Sequence, residues 1–223
     1  MDQDFDRYGD YNEVDEPPKK RSFALIAIRV LTVLLVVTVV GVLVFRMILS
    51  AYYPANIKGL VYTDALNAYV AENGTFTAKT QKLRASYDDP KFGNFFADHL
   101  IVLPEVGELQ LSLRYNVAAM NDIADRYKTD LPDPDDPALL TFRLTDNYGK
   151  DYGTPVFTDT GSAFMYRYRK LVFDGIDFDG KGGNAPEWIR LEIFVAGQTK
   201  PYSYIAVYEN NADYNTFEDY TDR

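Results

Sequence analysis

A single apolar run, FALIAIRVLTVLLVVTVVGVLVF from Phe23 to Phe45, constrains this chain more than any other feature. A helix needs roughly 20 mostly apolar residues to cross a hydrocarbon core about 30 Å thick. Arg29 is the only charged residue inside the run, and it lies near the N-terminal end, where its long side chain can reach the headgroups. The sequence therefore predicts a transmembrane helix over residues 23–49.

A cleavable signal peptide is the main alternative to a permanent anchor. Its apolar stretch is usually about 7–15 residues long and is followed by a small-x-small cleavage site. The run seen here is longer, and Leu49, Ser50 and Ala51 make a poor cleavage site. We therefore expect an uncleaved signal anchor.

The cations that flank the apolar run predict its orientation. Four of them lie at its N-terminal end, namely Lys19, Lys20, Arg21 and Arg29. Only Arg46 and Lys58 lie near the other end. Cytoplasmic flanks carry the excess of Lys and Arg. The prediction is a single-pass protein of the cell membrane with a cytoplasmic N-terminus and an extracytoplasmic C-terminal domain.

Composition excludes several classes of function. The chain has 223 residues and a formal net charge of −10, which argues against nucleic acid as a partner because phosphate binding needs clustered Lys and Arg. It has no cysteine, which excludes disulfides, thiolate metal sites and cysteine nucleophiles and favours a bacterial surface protein. The one histidine, His99, lies in an apolar stretch and is interpreted as structural.

The domain plan follows from the distribution of apolar residues. Residues 1–22 are acidic and lack apolar periodicity, so we expect a disordered cytoplasmic tail. Residues 57–209 are expected to form the extracytoplasmic domain, and residues 210–223 a flexible C-terminal tail.

Two short helices are predicted within the domain. One runs from Thr63, a capping residue, to Asn73, where the following glycine can end it. The other lies within Val117–Lys128, whose apolar residues share one helical face.

Strands dominate the rest of the domain. Leu109–Tyr115 alternates apolar with polar residues, which predicts one face in the core and one face in water. A shift of the apolar phase after Tyr168 predicts a β-bulge near Arg169 and Lys170. The other predicted strands are Phe95–Leu103, Leu140–Leu144, Ile189–Val195 and Tyr202–Tyr208. Short strands between Gly-, Pro- and Asp-containing loops are typical of a mainly β fold, here an antiparallel β-sandwich with one or two short helices.

Three segments of the second half, FRLTDNYGKDY, LVFDGIDF and IRLEI, carry a family resemblance. Their strands and turns resemble the later strands of bacterial, membrane-anchored immunoglobulin-like or telokin-like extracytoplasmic domains. The resemblance implies an immunoglobulin-like sandwich, and it brings no catalytic residues with it.

An acidic loop is the candidate metal site. Asp174, Asp177 and Asp179 precede a glycine-rich turn, and calcium binds through six to eight oxygen ligands. The EF-hand spacing is not met, and the alternative is an acidic hairpin loop without metal. Apart from calcium at this loop, we expect no cofactor.

A tyrosine–arginine strand is the candidate ligand site. Tyr and Arg are enriched at recognition surfaces. The candidate ligand-binding residues are Tyr166, Arg167, Tyr168 and Arg169. With Tyr202, Tyr204 and Tyr208 the tyrosines would form an aromatic face suited to sugars, and a tyrosine-rich core and rim is the alternative.

Three functions remain open at this level, and one of them is a sensor whose short tail meets a cytoplasmic partner. The favoured one is a non-enzymatic module that presents a β-sandwich to an envelope protein or a cell-wall polymer. The alternative is a membrane-tethered, carboxylate-based glycan hydrolase, which needs two carboxylates across a cleft. Its candidate carboxylates are Glu105, Glu108, Glu187 and Glu192, although Glu192 beside Arg190 is explained more simply by a surface ion pair.

Overall fold

The structure is a computed structural model. It describes residues 23–51, 53–83, 95–128, 138–212 and 214–218, together with positions 130, 133 and 136. The predicted cytoplasmic tail, residues 1–22, lies outside the described residues. The chain divides into two compact units, Met1–Tyr52 and Tyr53–Arg223.

The first unit contains one long helix, α1, over Phe23–Ala51. Its stretch Phe23–Ile48 is long and apolar enough to cross a membrane, and none of it is buried. The hydroxyls of Thr32 and Thr38 donate to carbonyl oxygens four residues earlier, each at 2.9 Å. Such bonds satisfy polar groups that would otherwise be costly in hydrocarbon. The predicted apolar helix is therefore present.

The second unit is mainly β, as predicted. Its helices are α2 (Ala55–Lys58), α3 (Asp64–Asn73) and α4 (Val117–Tyr127). Its strands are β1 (Thr77–Lys82), β2 (Phe95–Leu103), β3 (Glu108–Asn116), β4 (Leu140–Asp146), β5 (Phe157–Ala163), β6 (Tyr166–Phe173), β7 (Trp188–Val195), β8 (Ser203–Glu209) and β9 (Asn215–Glu218). They form two antiparallel sheets, a large sheet in the order β5-β6-β3-β2-β1-β9 and a small sheet in the order β4-β7-β8.

One apolar cluster contains residues of both sheets. Leu111 and Leu113 of β3 belong to it, as do Leu144 of β4 and Leu191 of β7. Leu144 and Leu191 are cross-strand partners in the small sheet. The strands with a clean period of two place their apolar residues in this cluster, which is why they were recognisable in the sequence. We call the faces that supply the cluster the inner faces of the two sheets.

Both short helices have the predicted boundaries because their caps are specific. Thr63 Oγ1 accepts from the Leu66 amide at 3.1 Å, and Gly74 ends α3 with φ of 81°. Asn116 caps α4 in the same way, and Lys128 ends it with φ of 50°.

The prediction that β3 has one wet face is wrong. Gln110 and Ser112 are fully buried, because residues 53–76 lie over the outer face of the large sheet. We call residues 53–76 the covering segment. Its side chains Leu66 and Phe76 pack in a second apolar cluster with Ile101 of β2. The polar residues of β3 therefore face protein, and not water.

The predicted β-bulge at Arg169 and Lys170 is also wrong. The register of β6 runs without interruption against both β3 and β5. Register shifts occur instead at Ala97/His99 and Ile189/Arg190. Arg169 and Lys170 are buried on opposite faces of a strand that is covered on both sides, and this produces the phase change without an inserted residue.

Three polar strands were not predicted. β1 and β5 carry few apolar residues, and β9 lies in the stretch 210–223 that was expected to be a flexible tail. β9 pairs with β1, with Thr77 opposite Glu218. The second unit therefore extends on both sides of the predicted domain, residues 57–209.

Candidate functional site

The four predicted ligand-binding residues lie on β6 and divide between its two faces. Arg167 and Arg169 are on the inner face, opposite Tyr115 and Leu113 of β3. Tyr166 and Tyr168 are on the outer face. Three of the four line a pocket of about 270 Å³, and Tyr166 does not. We call it the β5–β6 pocket, and its lining residues are Tyr115, Thr160, Gly161, Ser162, Arg167, Tyr168 and Arg169.

The pocket forms where the apolar inner face of the large sheet ends. Along β6 the inner residues change from Phe173 and Leu171, which belong to the core, to Arg169 and Arg167. On the neighbouring strand β5, Thr160 is opposite Arg169 and Ser162 is opposite Arg167. Cross-strand partners project from the same face, so hydroxyl and guanidinium groups share this region.

Arg169 is the most deeply placed charge of the pocket. Only 3% of the residue is exposed. Its Nη2 donates a hydrogen bond of 3.2 Å to the carbonyl oxygen of Asp136, and its guanidinium carbon lies 6.0 Å from the centroid of the Tyr115 ring. Its Nε is buried and has no hydrogen-bond partner among the described residues.

Arg167 lies closer to the surface than Arg169. Its Nη1 donates to the carbonyl oxygens of Phe164 and Tyr166, at 3.2 and 3.3 Å. These bonds tie the guanidinium to the turn between β5 and β6, where Phe164 has φ of 53°. A cation held in this way at the mouth of a pocket keeps a fixed orientation.

The tyrosines do not form one exposed aromatic face. Tyr168, Tyr202 and Tyr208 are buried, and of the five predicted residues only Tyr204 is more than half exposed, at 59%. Burial raises the pKa of Tyr202 to about 12 and raises the pKa of Tyr208 as well. These three tyrosines are therefore core residues, as the alternative interpretation expected, and not part of an exposed aromatic face.

A second arrangement, which the sequence only partly indicated, lies on the outer face of the small sheet. Two arginines flank one carboxylate there. Glu192 accepts from Arg143 at 2.7 Å and contacts Arg190 at 2.8 Å. Arg190 lies 6.0 Å from the ring of Trp188 and 5.9 Å from that of Tyr204, and Arg143 lies 4.9 Å from the ring of Phe194. We call these six residues the arginine–aromatic ladder.

The ion pair predicted for Glu192 lies on the outer face of the small sheet, where the side chains of Arg143 and Arg190 are 41% and 43% exposed. The ion pair with Arg190 is present, but the Glu192 side chain is only 5% exposed because the flanking arginines cover it. The hydrogen bond to Glu192 is the main cause that raises the pKa of Arg143. In the sequence, this arrangement is indicated by the aromatic, basic and acidic residues at alternate positions of β7. Arg143, opposite Glu192 on β4, completes it.

The four glutamates considered for glycan hydrolysis are spread over the domain. Glu108 lies on the outer face of the large sheet, where Thr63 and the Gln110 amide donate to it. Glu192 lies on the outer face of the small sheet, so the two carboxylates belong to different sheets. Glu105 and Glu187 are exposed. The structure therefore does not bring Glu108 and Glu192 together across a cleft.

The acidic loop after β6 is organised by its own backbone. The Asp177 carboxylate accepts from the amides of Lys181 and Gly182, at 3.1 and 2.5 Å, and these bonds, that of Gly182 above all, lower its pKa. Asp179 contacts the Lys181 amine at 3.1 Å, and Asp174 is exposed. Within the described residues no three acidic, histidine or cysteine side chains gather as metal ligands. Calcium binding stays a prediction, tested by whether millimolar calcium raises the melting temperature.

His99 has a structural setting on β2. Its Nδ1 lies 2.7 Å from the carboxylate of Asp98, and the ring of Tyr53 meets it edge-on at 5.8 Å. Burial by itself raises the pKa of Asp98, but the bond to His99 and nearby positive charges outweigh it and leave the pKa lowered. This setting favours the structural interpretation of the histidine.

Comparison with known proteins gave no match: no protein-family model, no curated protein and no solved structure is similar to the chain. The two features of the molecule that bear on its function are therefore the β5–β6 pocket and the apolar helix α1.

Proposed function

We propose that this chain is a single-pass membrane protein that presents a binding module outside the membrane. In this proposal α1 is an uncleaved anchor, the N-terminal tail is cytoplasmic, and the two sheets form an immunoglobulin-like β-sandwich. The module would bind an envelope protein or a cell-wall polymer, with Arg167, Tyr168 and Arg169 at its site.

One observation carries the proposal: a fully exposed apolar helix precedes a unit that has its own buried core. Exposed apolar side chains over such a length are unfavourable in water, and a hydrocarbon environment removes that cost. The excess of cations before α1 supports a cytoplasmic N-terminus. The β5–β6 pocket supports a binding role for the domain.

Single-cysteine labelling tests the topology, because the chain has no cysteine of its own. Gln198→Cys places a thiol in an exposed turn between β7 and β8, and Gln3→Cys places one in the N-terminal tail. A membrane-impermeant maleimide should label Gln198→Cys on intact cells and Gln3→Cys only after permeabilisation. The reverse pattern would overturn the orientation, and loss of the Gln3→Cys thiol from the mature chain would show that the anchor is cleaved.

A further inference from the structure

Arg169 is a buried cation whose charge is not balanced within the described part of the domain. None of the ion pairs found there includes it. Its contacts are one bond to the Asp136 carbonyl oxygen and the Tyr115 ring, and its Nε has no partner among the described residues. A buried charge is unfavourable unless it is paired and hydrogen-bonded. An anion placed beside Arg169 would remove this imbalance.

The groups around Arg169 are donors. Thr160 and Ser162 are exposed on β5, opposite the two arginines, and within the described chain no side-chain hydrogen bond is made by either hydroxyl. Directly opposed residues in an antiparallel pair have Cβ atoms roughly 4.5–5.5 Å apart. No acidic side chain is among the residues that line the pocket. Two strands therefore present guanidinium and hydroxyl donors to the same small volume.

We propose that the β5–β6 pocket binds an anionic group, a carboxylate or a phosphate, carried by an extracytoplasmic polymer. This inference rests on the proposed function, since it names the ligand class of the same site. A guanidinium matches the geometry of both anions, and bonds between them are charge-assisted. A volume of about 270 Å³ accommodates one such group with part of the unit that carries it, and not a long chain segment.

The test uses the full chain in a non-ionic detergent, with sodium phosphate and sodium acetate titrated at constant ionic strength. Trp188, the only tryptophan, reports the melting of the domain. A ligand that binds only the folded state raises the melting temperature in a saturable way. A saturable rise with either anion supports the pocket as an anion site, and no saturable rise with either would overturn it.

Polymers distinguish the sources of the anion. Poly(glycerol phosphate) and polygalacturonate carry phosphate and carboxylate groups, respectively. Binding of either polymer tighter than binding of the free anion supports the proposal. Binding of free phosphate or acetate without polymer binding would overturn the polymer as the source.

Variants assign the effect to the pocket. Arg169→Gln should abolish the saturable rise, whereas Arg190→Gln, on the outer face of the small sheet, should leave it unchanged. Because Arg169 is buried and its loss can impair folding, a double variant, Thr160→Val with Ser162→Ala, changes only exposed residues of an edge strand. The double variant should weaken anion binding roughly tenfold, as expected for losing hydrogen bonds to a charged ligand. Unchanged binding in the double variant would overturn the proposal.

The outcome can be separated from that of the proposed function. Cysteine labelling of intact cells reports the location of the domain and does not depend on the pocket. An extracytoplasmic domain without anion binding would refute this inference and leave the anchored module standing. A cytoplasmic domain with anion binding would refute the proposed topology and leave the anion site standing.

Discussion

Gln110 holds the covering segment on the large sheet, and its replacement gives a sharp test of this contact. Its Oε1 accepts from the Val61 amide at 2.8 Å, and its Nε2 donates to the Val61 carbonyl oxygen at 2.7 Å. The side chain is fully buried. A single amide therefore supplies both bonds that a neighbouring strand would give to Val61. The variant Gln110→Leu keeps a similar volume and removes both bonds to Val61, together with the 3.3 Å bond from Nε2 to Glu108.

The expected cost follows mainly from the two bonds lost to Val61, because the third bond, to Glu108, is longer at 3.3 Å. Each contributes a net stabilisation of about 0.5–1.5 kcal/mol, and a buried group left without a partner costs more. Val61 is half-buried, so water can reach part of its backbone. We expect Gln110→Leu to lower the free energy of unfolding by about 2–3 kcal/mol. For a domain of this size that corresponds to a fall in melting temperature of about 4–12 °C.

Urea unfolding of the full chain in detergent, followed by Trp188 fluorescence, measures this change because α1 contains no tryptophan. Amide hydrogen exchange should also speed up at Val61, since its donor loses its acceptor. Gln198→Leu, in an exposed turn, is the matched control and should change stability by less than about 0.5 kcal/mol. A Gln110→Leu variant as stable as the wild type, with Val61 still protected, would refute the reasoning.

Three further predictions concern other parts of the domain. Glu192→Gln should lower stability by about 1–2 kcal/mol, allowing for the solvent exposure of both arginines, while the exposed control Glu187→Gln should have no measurable effect in the same urea assay. Burial raises the pKa of Glu108 above 4.5, so its contribution to stability is present at low pH and is lost as pH rises through the raised pKa. Glu108→Gln should therefore gain stability relative to the wild type as pH rises through that window, and a constant difference in unfolding free energy would contradict this. Gly107 has φ of 68°, and an added Cβ would lie 2.8 Å from a backbone oxygen, whereas Gly197 has φ of 77° and open space around it. Thermal melting should therefore show Gly107→Ala to be clearly less stable than Gly197→Ala, which carries only the backbone penalty of about 1–2 kcal/mol, and equal melting temperatures would contradict this.

The sequence predicted those elements whose signal is local. The α3 boundaries follow from the Thr63 cap and Gly74, and the small-sheet strands follow from their apolar alternation. Edge strands β5 and β9 could not be predicted in this way, because they are defined by pairing and have no apolar face of their own. The position of the covering segment over β3 also escapes prediction, since the segment meets β3 largely through backbone groups that Gln110 and Ser112 bind. Polar residues at alternate positions of β3 show that one face of the strand forms hydrogen bonds. The partners of Gln110 and Ser112 on that face are backbone groups of the covering segment.

The sequence predicted the arginines of the β5–β6 pocket but not its hydroxyl groups, for the same reason. The enrichment of Tyr and Arg at recognition surfaces pointed to β6, but the sequence could not show that Arg167 and Arg169 share a face with Thr160 and Ser162, because β5 itself was not predicted.

The position of the β5–β6 pocket follows from where the shared apolar cluster ends. The large sheet has six strands and the small sheet has three, and no residue of β5 belongs to the apolar cluster that both sheets share. The inner residues of β5, which include Thr160 and Ser162, are exposed, so this part of the large sheet lacks a protein cover. An uncovered inner face cannot be apolar without cost in water, and here the side chains change to hydroxyl and guanidinium groups where the core ends. A ligand bound at this place would cover the exposed hydroxyls of β5 beside the buried Arg169, and for that reason it should be polar and anionic.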